Sequence, residues 1–303
     1  MEKSAIAAPP FFTVVIPCYN YAHVLERAVT SVQRQDFDAW EIIIIDDGSS
    51  DNSAAVAAKC AATDHRISTI TQQNSGPARA RNHGVELAHG EYVIFLDADD
   101  ELADTAMTAA AQILGSDATI DCVVGGHVNI DSKGRCKTVS GSALPATGAQ
   151  RFIAYLDKKI RLCNGAMAIK RRLCQQLPFD EDMRNCEDIP FFAHVLLRGN
   201  CVGFKEPMAL IHKHADSLRH NDTAAADNRL LATQRVFADW LPPQLLRCKN
   251  KYLAKAHLSL FRTMYRNGDK IRARRLYHRA IAMYPPHVFD GAYLFKYLRS
   301  YLF

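Results

Sequence analysis

Two rhythms of apolar and polar residues alternate along the first third of the chain. Short unbroken apolar runs, "FFTVVIP", "WEIIIID" and "EYVIFLD", are rich in β-branched and aromatic residues. Such runs, bounded by turn residues, predict strands buried on both faces, as in parallel sheets. "RISTITQ" reads as a shorter strand. Between them the apolar spacing becomes helical. "AHVLERAVTSVQRQ" places Val24, Ala28, Val29 and Val32 on one face, and "SAAVAAKCAA" reads as a helix that Ser50 or Asp51 can cap. "GPARARNHGVELA" reads as a helix with Pro77 in its first turn. Strand and helix alternating at this pace predict βαβ units. The expected fold class is α/β: a Rossmann-like, doubly wound, mostly parallel sheet followed by a helical C-terminal region.

The rhythm loosens further on. "DCVVGGHVNIDSKGR" reads as a strand and hairpin turn, "GAQRFIAYLDKK" as a helix, and "GAMAIKRRL" as a strand entering a helix. "CEDIPFFAHVLLRGN" is helical up to Gly199, and "CVGFKEPMALIHKH" is strand-like. Beyond His220 every pattern is helical. We therefore expect a catalytic domain over 1–220 and a helical basic region over 221–303. The segment "NGDKIRARRLYHRAIAMYP" resembles one helical-hairpin repeat, and a single copy does not make a solenoid.

Charge sharpens that division. The net charge of the whole chain is +5, but residues 247–303 carry 13 Lys/Arg against 2 Asp/Glu, which leaves the first 246 residues net acidic. A basic tail on an acidic body suits an anionic surface or an acidic partner. No nucleic-acid motif accompanies the charge, so nucleic acid is not expected as a partner. A content of 48 % hydrophobic and 23 % charged residues is that of a soluble globular protein. The nine cysteines are scattered and never in C-x-x-C spacing, which disfavours a zinc site or disulfide framework and fits a reducing cytosol. The opening "MEKSAIAAPPFF" lacks the apolar core of a signal peptide, and no run is long enough to span a bilayer.

Polar residues collect where the strands end. "VVIPCYN" delivers Pro17, Tyr19 and Asn20; "EIIIIDDGSSD" delivers Asp46 and Asp47; "FLDADD" delivers Asp97 and Asp99. In open α/β sheets, ligands bind outside the carboxyl ends of the strands. A strand ending in D-x-D can grip a hard divalent cation that also touches phosphate oxygens. A solvated acidic loop is the plain reading of the same residues; their coincidence on several strands favours the site. Neither a G-x-G-x-x-G fingerprint nor a Walker A loop is present, which argues against NAD and P-loop chemistry.

The segments "VVIPCYN", "EIIIIDDGSSD", "QQNSGPARARNHGVELAHGEYVIFLDADD" and "CEDIPF", in that order, resemble family 2 glycosyltransferases, inverting enzymes of the GT-A fold. The resemblance is strong over roughly 11–105 and thinner to about 220. It implies that Pro17 and Tyr19 line the nucleotide base, with Asn20 beside them. It implies that Asp47 accepts the uracil N3–H, and that Arg81, Asn82 and Gly84, with Gly76 ahead of them, lie near the nucleotide. Asp97 would hold ribose and metal, and Asp99 would be the main metal ligand. Asp188 would be the general base, with Glu187 beside it on the donor. His214 would approach the metal or diphosphate, with His212 as competitor. Cys18 and Cys186 are read as buried fillers without chemistry.

The expected activity is transfer of a hexose or N-acetylhexosamine from a UDP-sugar to a hydroxyl of a glycan or lipid-linked acceptor, with Mn²⁺ or Mg²⁺. Bacterial surface polysaccharide or lipopolysaccharide assembly is the setting the family implies. The expected place is the cytoplasm, with the tail making peripheral contact with anionic membrane; oligomerisation is left open. Two other readings stand beside it. A nucleotidyltransferase shares strand-end acids but would carry a glycine-rich loop with a basic residue after the first strand, which "PCYNYAHV" lacks. A catalytically idle scaffold would recruit partners through the tail.

Overall fold

A computed structural model describes residues 9–213 and 222–301. The alternation read from the first third is realised as β1 (Phe12–Cys18), α1 (Leu25–Gln33), β2 (Trp40–Asp46), α2 (Ser53–Thr63), β3 (Ile67–Thr71), α3 (Pro77–Leu87) and β4 (Tyr92–Phe95). Next come β5 (Glu101–Leu102), α4 (Ala106–Ser116), the hairpin β6 (Cys122–Ile130) and β7 (Cys136–Val139), and α5 (Gly148–Leu156). β8 (Met167–Lys170), α6 (Arg171–Gln176), α7 (Asp188–Arg198) and β9 (Cys201–His212) follow.

The sheet runs in the order β3-β2-β1-β4-β8-β6-β9-β5, with β7 paired to β6. β3, β2, β1 and β4 are mutually parallel, β8 is antiparallel to β4, and β6 and β9 are parallel to each other. It is thus a mixed sheet whose parallel half has the order of a Rossmann-like fold. Residues 42–45, four consecutive isoleucines, are all buried, because helices cover both faces of this half. Gly84 of α3 approaches β1 so closely that a Cβ would lie 2.3 Å from a Val15 methyl. It therefore serves helix–strand packing.

The chain forms two compact units. One takes in the chain up to Arg184 and resumes at His194 through β9; the other takes in Asn185–Ala193 and the chain beyond β9. The second unit thus draws in a short segment that lies within the 1–220 span. Its helices are α8 (Asp222–Val236), α9 (Pro243–Leu246), α10 (Lys249–Arg266), α11 (Lys270–Met283), a 3₁₀ turn (Pro285–Phe289) and α12 (Gly291–Arg299). Its core joins Leu258, Phe261 and Met264 of α10 to Leu276 and Tyr277 of α11. Tyr297 of α12 closes it, stacked on Tyr277 with centroids 4.2 Å apart. No helix among the described residues is long and apolar enough to cross a membrane.

β5 and α4 fall in a stretch, 101–121, to which the sequence reading assigns no element. α4 carries a helical spacing, Ala106, Met107, Ala110 and Leu114 buried, that could have identified it. β5 has two residues, too few for any period to show.

Candidate active site

Asn20 follows β1 with φ 61°. The left-handed region is one Asn tolerates far better than a branched residue, which accounts for an asparagine there. Its backbone N–H donates to Ser49 Oγ (3.0 Å), and its Oδ1 accepts from Ser50 N (2.8 Å) and Asp51 N (3.3 Å). Asn20 thus ties the end of β1 to the loop after β2. Its neighbour Tyr19 keeps 47 % of its surface exposed and presents an open aromatic face beside these strand ends. Pro17 is half-buried in β1. Burial pushes the Cys18 thiol up to about 11, as expected of an inert filler.

Asp47 is buried and occupied. Its Oδ1 accepts from Gln72 Nε2 (2.8 Å) and Ser75 N (2.9 Å), and its Oδ2 from Gly76 N (2.8 Å). A carboxylate offers about four lone-pair sites; three are used by the chain, and one is left for an outside donor. Gly76 adopts φ 94° at the N-cap of α3, and a Cβ there would meet Arg184 Cδ at 3.2 Å. The turn therefore requires glycine, both to reach Asp47 and to pass under Arg184.

The end of β4 gathers negative charge. Asp97, Asp99 and Asp100 each offer a carboxylate oxygen, and these lie within 4.8 Å of one another. Arg81, buried in α3, donates to Asp97 Oδ1 (2.8 Å), and its guanidinium lies 5.3 Å from the Phe179 ring centroid. Asn164 Nδ2 spans both Asp97 oxygens at 3.1 and 3.2 Å. Asp100 Oδ1 accepts from His212 N (2.8 Å), and His212 Nε2 meets Glu101 Oε1 at 2.8 Å. His212 is thereby engaged beside the cluster, and Arg27 donates to the Asp99 carbonyl. His214 lies outside the described residues.

Oxygen-only donors at this spacing fit a hard divalent cation. Asp97 and Asp99 come together as expected. Asp100 and Asn164 join them, and the sequence reading assigned neither. Asp100 was visible as the third acid of "FLDADD". Asn164 lies some seventy residues away, and no local pattern marks it.

Asn82 is placed differently from its neighbour Arg81. Its Oδ1 accepts from Phe179 N (2.9 Å), and its Nδ2 donates to Phe179 O and Glu181 Oε1, both at 3.0 Å. The amide is spent on pinning 179–181 to α3. Glu187 and Asp188 belong to the second unit, at the start of α7. Cys186 just before them has φ 62°, a conformation that costs about 1–2 kcal/mol outside glycine and concentrates at functional sites.

The comparisons agree with this geometry. The chain is 41 % identical over 105 residues to the GalNAc(5)-diNAcBac-PP-undecaprenol beta-1,3-glucosyltransferase of Campylobacter jejuni, covering 34 % of each protein. It is 30 % identical over 197 residues to the uncharacterized glycosyltransferase EpsJ of Bacillus subtilis, covering 60 % of this chain and 55 % of that one. The chain thus spans about a third to about half the length of these relatives. Among solved structures, Staphylococcus aureus TarS 1–349 in complex with UDP-GlcNAc superposes with a TM-score of 0.68 at 18 % identity, over 96 % of this chain and 89 % of that one. The mannosyltransferase PcManGT of Pyrobaculum calidifontis, in complex with GDP-Man and Mn²⁺, does so with a TM-score of 0.57 at 17 % identity, over 98 % and 87 %. The expected GT-A fold is therefore shared. The family model for glycosyl transferase family 2 matches residues 13–177, more than half of the sequence, and the chain belongs to that family.

Proposed function

We propose that this chain is an inverting transferase that moves a hexosyl or N-acetylhexosaminyl group from a UDP-sugar to a hydroxyl of a glycan or lipid-linked acceptor. The observation that carries this is the Asp97–Asp99–Asp100 cluster at the end of β4, with Asp97 fixed by Arg81 and Asn164. Asp97 and Asp99, joined by Asp100, would hold Mn²⁺ or Mg²⁺, which as a Lewis acid stabilises the charge left on a departing diphosphate. Asp47 keeps one acceptor site for a base N–H, and Tyr19 offers an aromatic face for the base. Asp188 takes the proton of the acceptor hydroxyl as its oxygen attacks the anomeric carbon. The sugar–phosphate bond breaks on the opposite face and its electron pair leaves with UDP. One carboxylate within reach of the hydroxyl suffices for this chemistry.

The TarS structure, solved with UDP-GlcNAc, supports a nucleotide-sugar donor, and the C. jejuni relative, named for a GalNAc(5)-diNAcBac-PP-undecaprenol glycan, supports a lipid-linked acceptor. Assembly of a bacterial surface glycan at the cytoplasmic face of the inner membrane follows as the proposed setting, with 221–303 as the region that docks there. On α12, Tyr293, Leu294 and Tyr297 pack inward, while Phe295 and Leu298 are each more than half exposed. Those two are three residues apart, so they share a side of the helix, with Lys296 and Arg299 beside them to reach headgroups.

The decisive experiment is Asp188→Asn. Transfer should fall about 10²–10⁴-fold, as for loss of a general base, with UDP affinity in Mn²⁺ unchanged. Wild-type transfer by this variant would remove Asp188 from the role. UDP-sugar hydrolysis in Mn²⁺ separates an active enzyme from an idle scaffold. For the tail, full-length protein should float with anionic vesicles and not neutral ones, and Phe295→Ser with Leu298→Ser should abolish it.

A further inference from the structure

A cavity of about 520 Å³ opens in the first unit, between the β6–β7 hairpin with the strand-end loop after it and the segment that follows α5. One wall carries Lys158, Lys159 and Arg161; the other carries Ser140, Gly141 and Ser142. No acidic side chain lines it, and none of the three cations is ion-paired among the described residues. This stands out in a part of the chain that is net acidic.

The backbone around it is specialised. β6 departs from regular register with β9 at Gly126, and such irregularities gather next to functional sites. A Cβ on Gly141 would lie 1.9 Å from the Phe204 carbonyl, so that wall must be bare backbone. Three non-glycine residues among those described have φ in the left-handed region: Asn20, Lys158 and Cys186. Asn20 ties together two strand ends of the candidate site; Lys158 stands in this cavity. Glycine would hold that turn at less cost, so a lysine there points to a use for its side chain.

Arg161 is three residues from Asn164, which holds Asp97. Three residues of chain reach at most about 11 Å. The backbone of Arg161 therefore lies within about 11 Å of that of Asn164.

We propose that this cavity is an oxyanion subsite that takes a phosphate group carried by the acceptor, with Lys158, Lys159 and Arg161 as its cations and Ser140 and Ser142 as hydroxyl donors. Arginine offers a planar fork to phosphate oxygens and lysine a point charge, a combination suited to a phosphate ester or diphosphate. The inference deepens the transferase reading and rests on it for the word acceptor; the binding of phosphate does not.

The test uses the full chain in EDTA, with inorganic pyrophosphate as probe and amine acylation mapped by peptide mass spectrometry. Pyrophosphate at saturation should slow acylation of Lys158 and Lys159 by about tenfold, and leave Lys133 and Lys137 on the neighbouring hairpin unaffected. Glucuronate at the same concentration should protect much less. Arg161→Ala should weaken the protection, and Asp99→Ala should not change it. Absent protection, equal protection of Lys133 and Lys137, or equal protection by glucuronate would each overturn the proposal. UDP-sugar hydrolysis in Mn²⁺, run on wild type and on the K158A/K159A/R161A variant, keeps the two readings apart. Hydrolysis by both is expected; its absence from wild type breaks the transferase reading alone, and its loss from the variant alone would place the three cations in the donor site and overturn the subsite.

Discussion

Two strand ends carry the same signature, a β-branched or aromatic run leading into acids, and use it in opposite ways. At the end of β2, Asp47 is 4 % exposed and accepts three hydrogen bonds from the loop 72–76. Three of its acceptor sites shape the chain, and one is kept. At the end of β4, Asp97, Asp99 and Asp100 crowd within 4.8 Å, and Arg81 is the guanidinium that answers them. Oxygen donors at that spacing suit a hard divalent cation. The first end braces the loops from within, and the second gathers the donors of a candidate cation site. Acidity at a strand end therefore does not define a role; the donors already committed to each carboxylate do.

The largest effect expected from this contrast is on activity. Asp99→Ala should lower UDP-sugar hydrolysis about 10²–10³-fold, the several kcal/mol a metal contributes at a leaving group. EDTA should do the same to wild type, and calorimetry should show no metal-dependent UDP binding by the variant. Its stability without metal should hold or rise, since a repelling charge is gone. UDP and Mn²⁺ binding like wild type by Asp99→Ala would move the metal elsewhere.

Asp47→Ala should behave in the reverse sense. It leaves the Ser75 and Gly76 N–H groups without their acceptor, and each charge-assisted bond contributes about 1.5–3 kcal/mol. With partial rescue by water, we expect a loss of about 3 kcal/mol in urea unfolding, present with or without metal. An unfolding midpoint equal to that of Asp99→Ala would erase the distinction between the two ends.

The parallel half was legible because its signals are local. Four isoleucines in a row can only be a strand covered on both faces, and "GPARARNH" carries its own helix start at Pro77. The D-x-D was legible for the same reason. What escaped depends on long-range partners. Asn164 reaches Asp97 from a segment between α5 and β8, and Asp100 acquires its place through His212 on β9. The other half of the sheet is assembled by long-range pairings such as the parallel one of β6 with β9, which no periodicity announces. Asn82 shows what a shared motif leaves open: the family resemblance places Arg81 and Asn82 together near the nucleotide, but residues one apart on a helix point in different directions. Asn82 faces Phe179.

That contrast supplies the next test. Asn82→Ala should cost about 1–2 kcal/mol of stability, from a lost amide pair with the Phe179 backbone, and leave UDP affinity nearly unchanged. A pH effect accompanies it. The Asn82 amide first, then Arg79, holds the Glu181 carboxyl below its ordinary 4.5. A depressed folded value stabilises above the unfolded value and is lost as pH falls through the folded one. Wild type should therefore lose that contribution below about pH 4.5, and the variant should lose less. UDP affinity reduced tenfold with stability intact would return Asn82 to the nucleotide.

The smallest effect expected separates backbone from side chain at the end of β1. Asn20→Gly keeps φ 61° accessible and removes only the Oδ1 that accepts from Ser50 N and Asp51 N. These donors are partly open to water, so the loss should be about 1 kcal/mol or less. Asn20→Ala removes the same oxygen and adds the left-handed cost of an L-residue, about 1–2 kcal/mol more. Urea unfolding should rank wild type above Gly above Ala, with the KM for UDP-sugar little changed by either. If Gly and Ala unfold alike, the φ of Asn20 does not constrain the turn. If instead both keep wild-type stability and raise KM tenfold, Asn20 spends its amide on the donor, and the end of β1 belongs with that of β4 and not with that of β2.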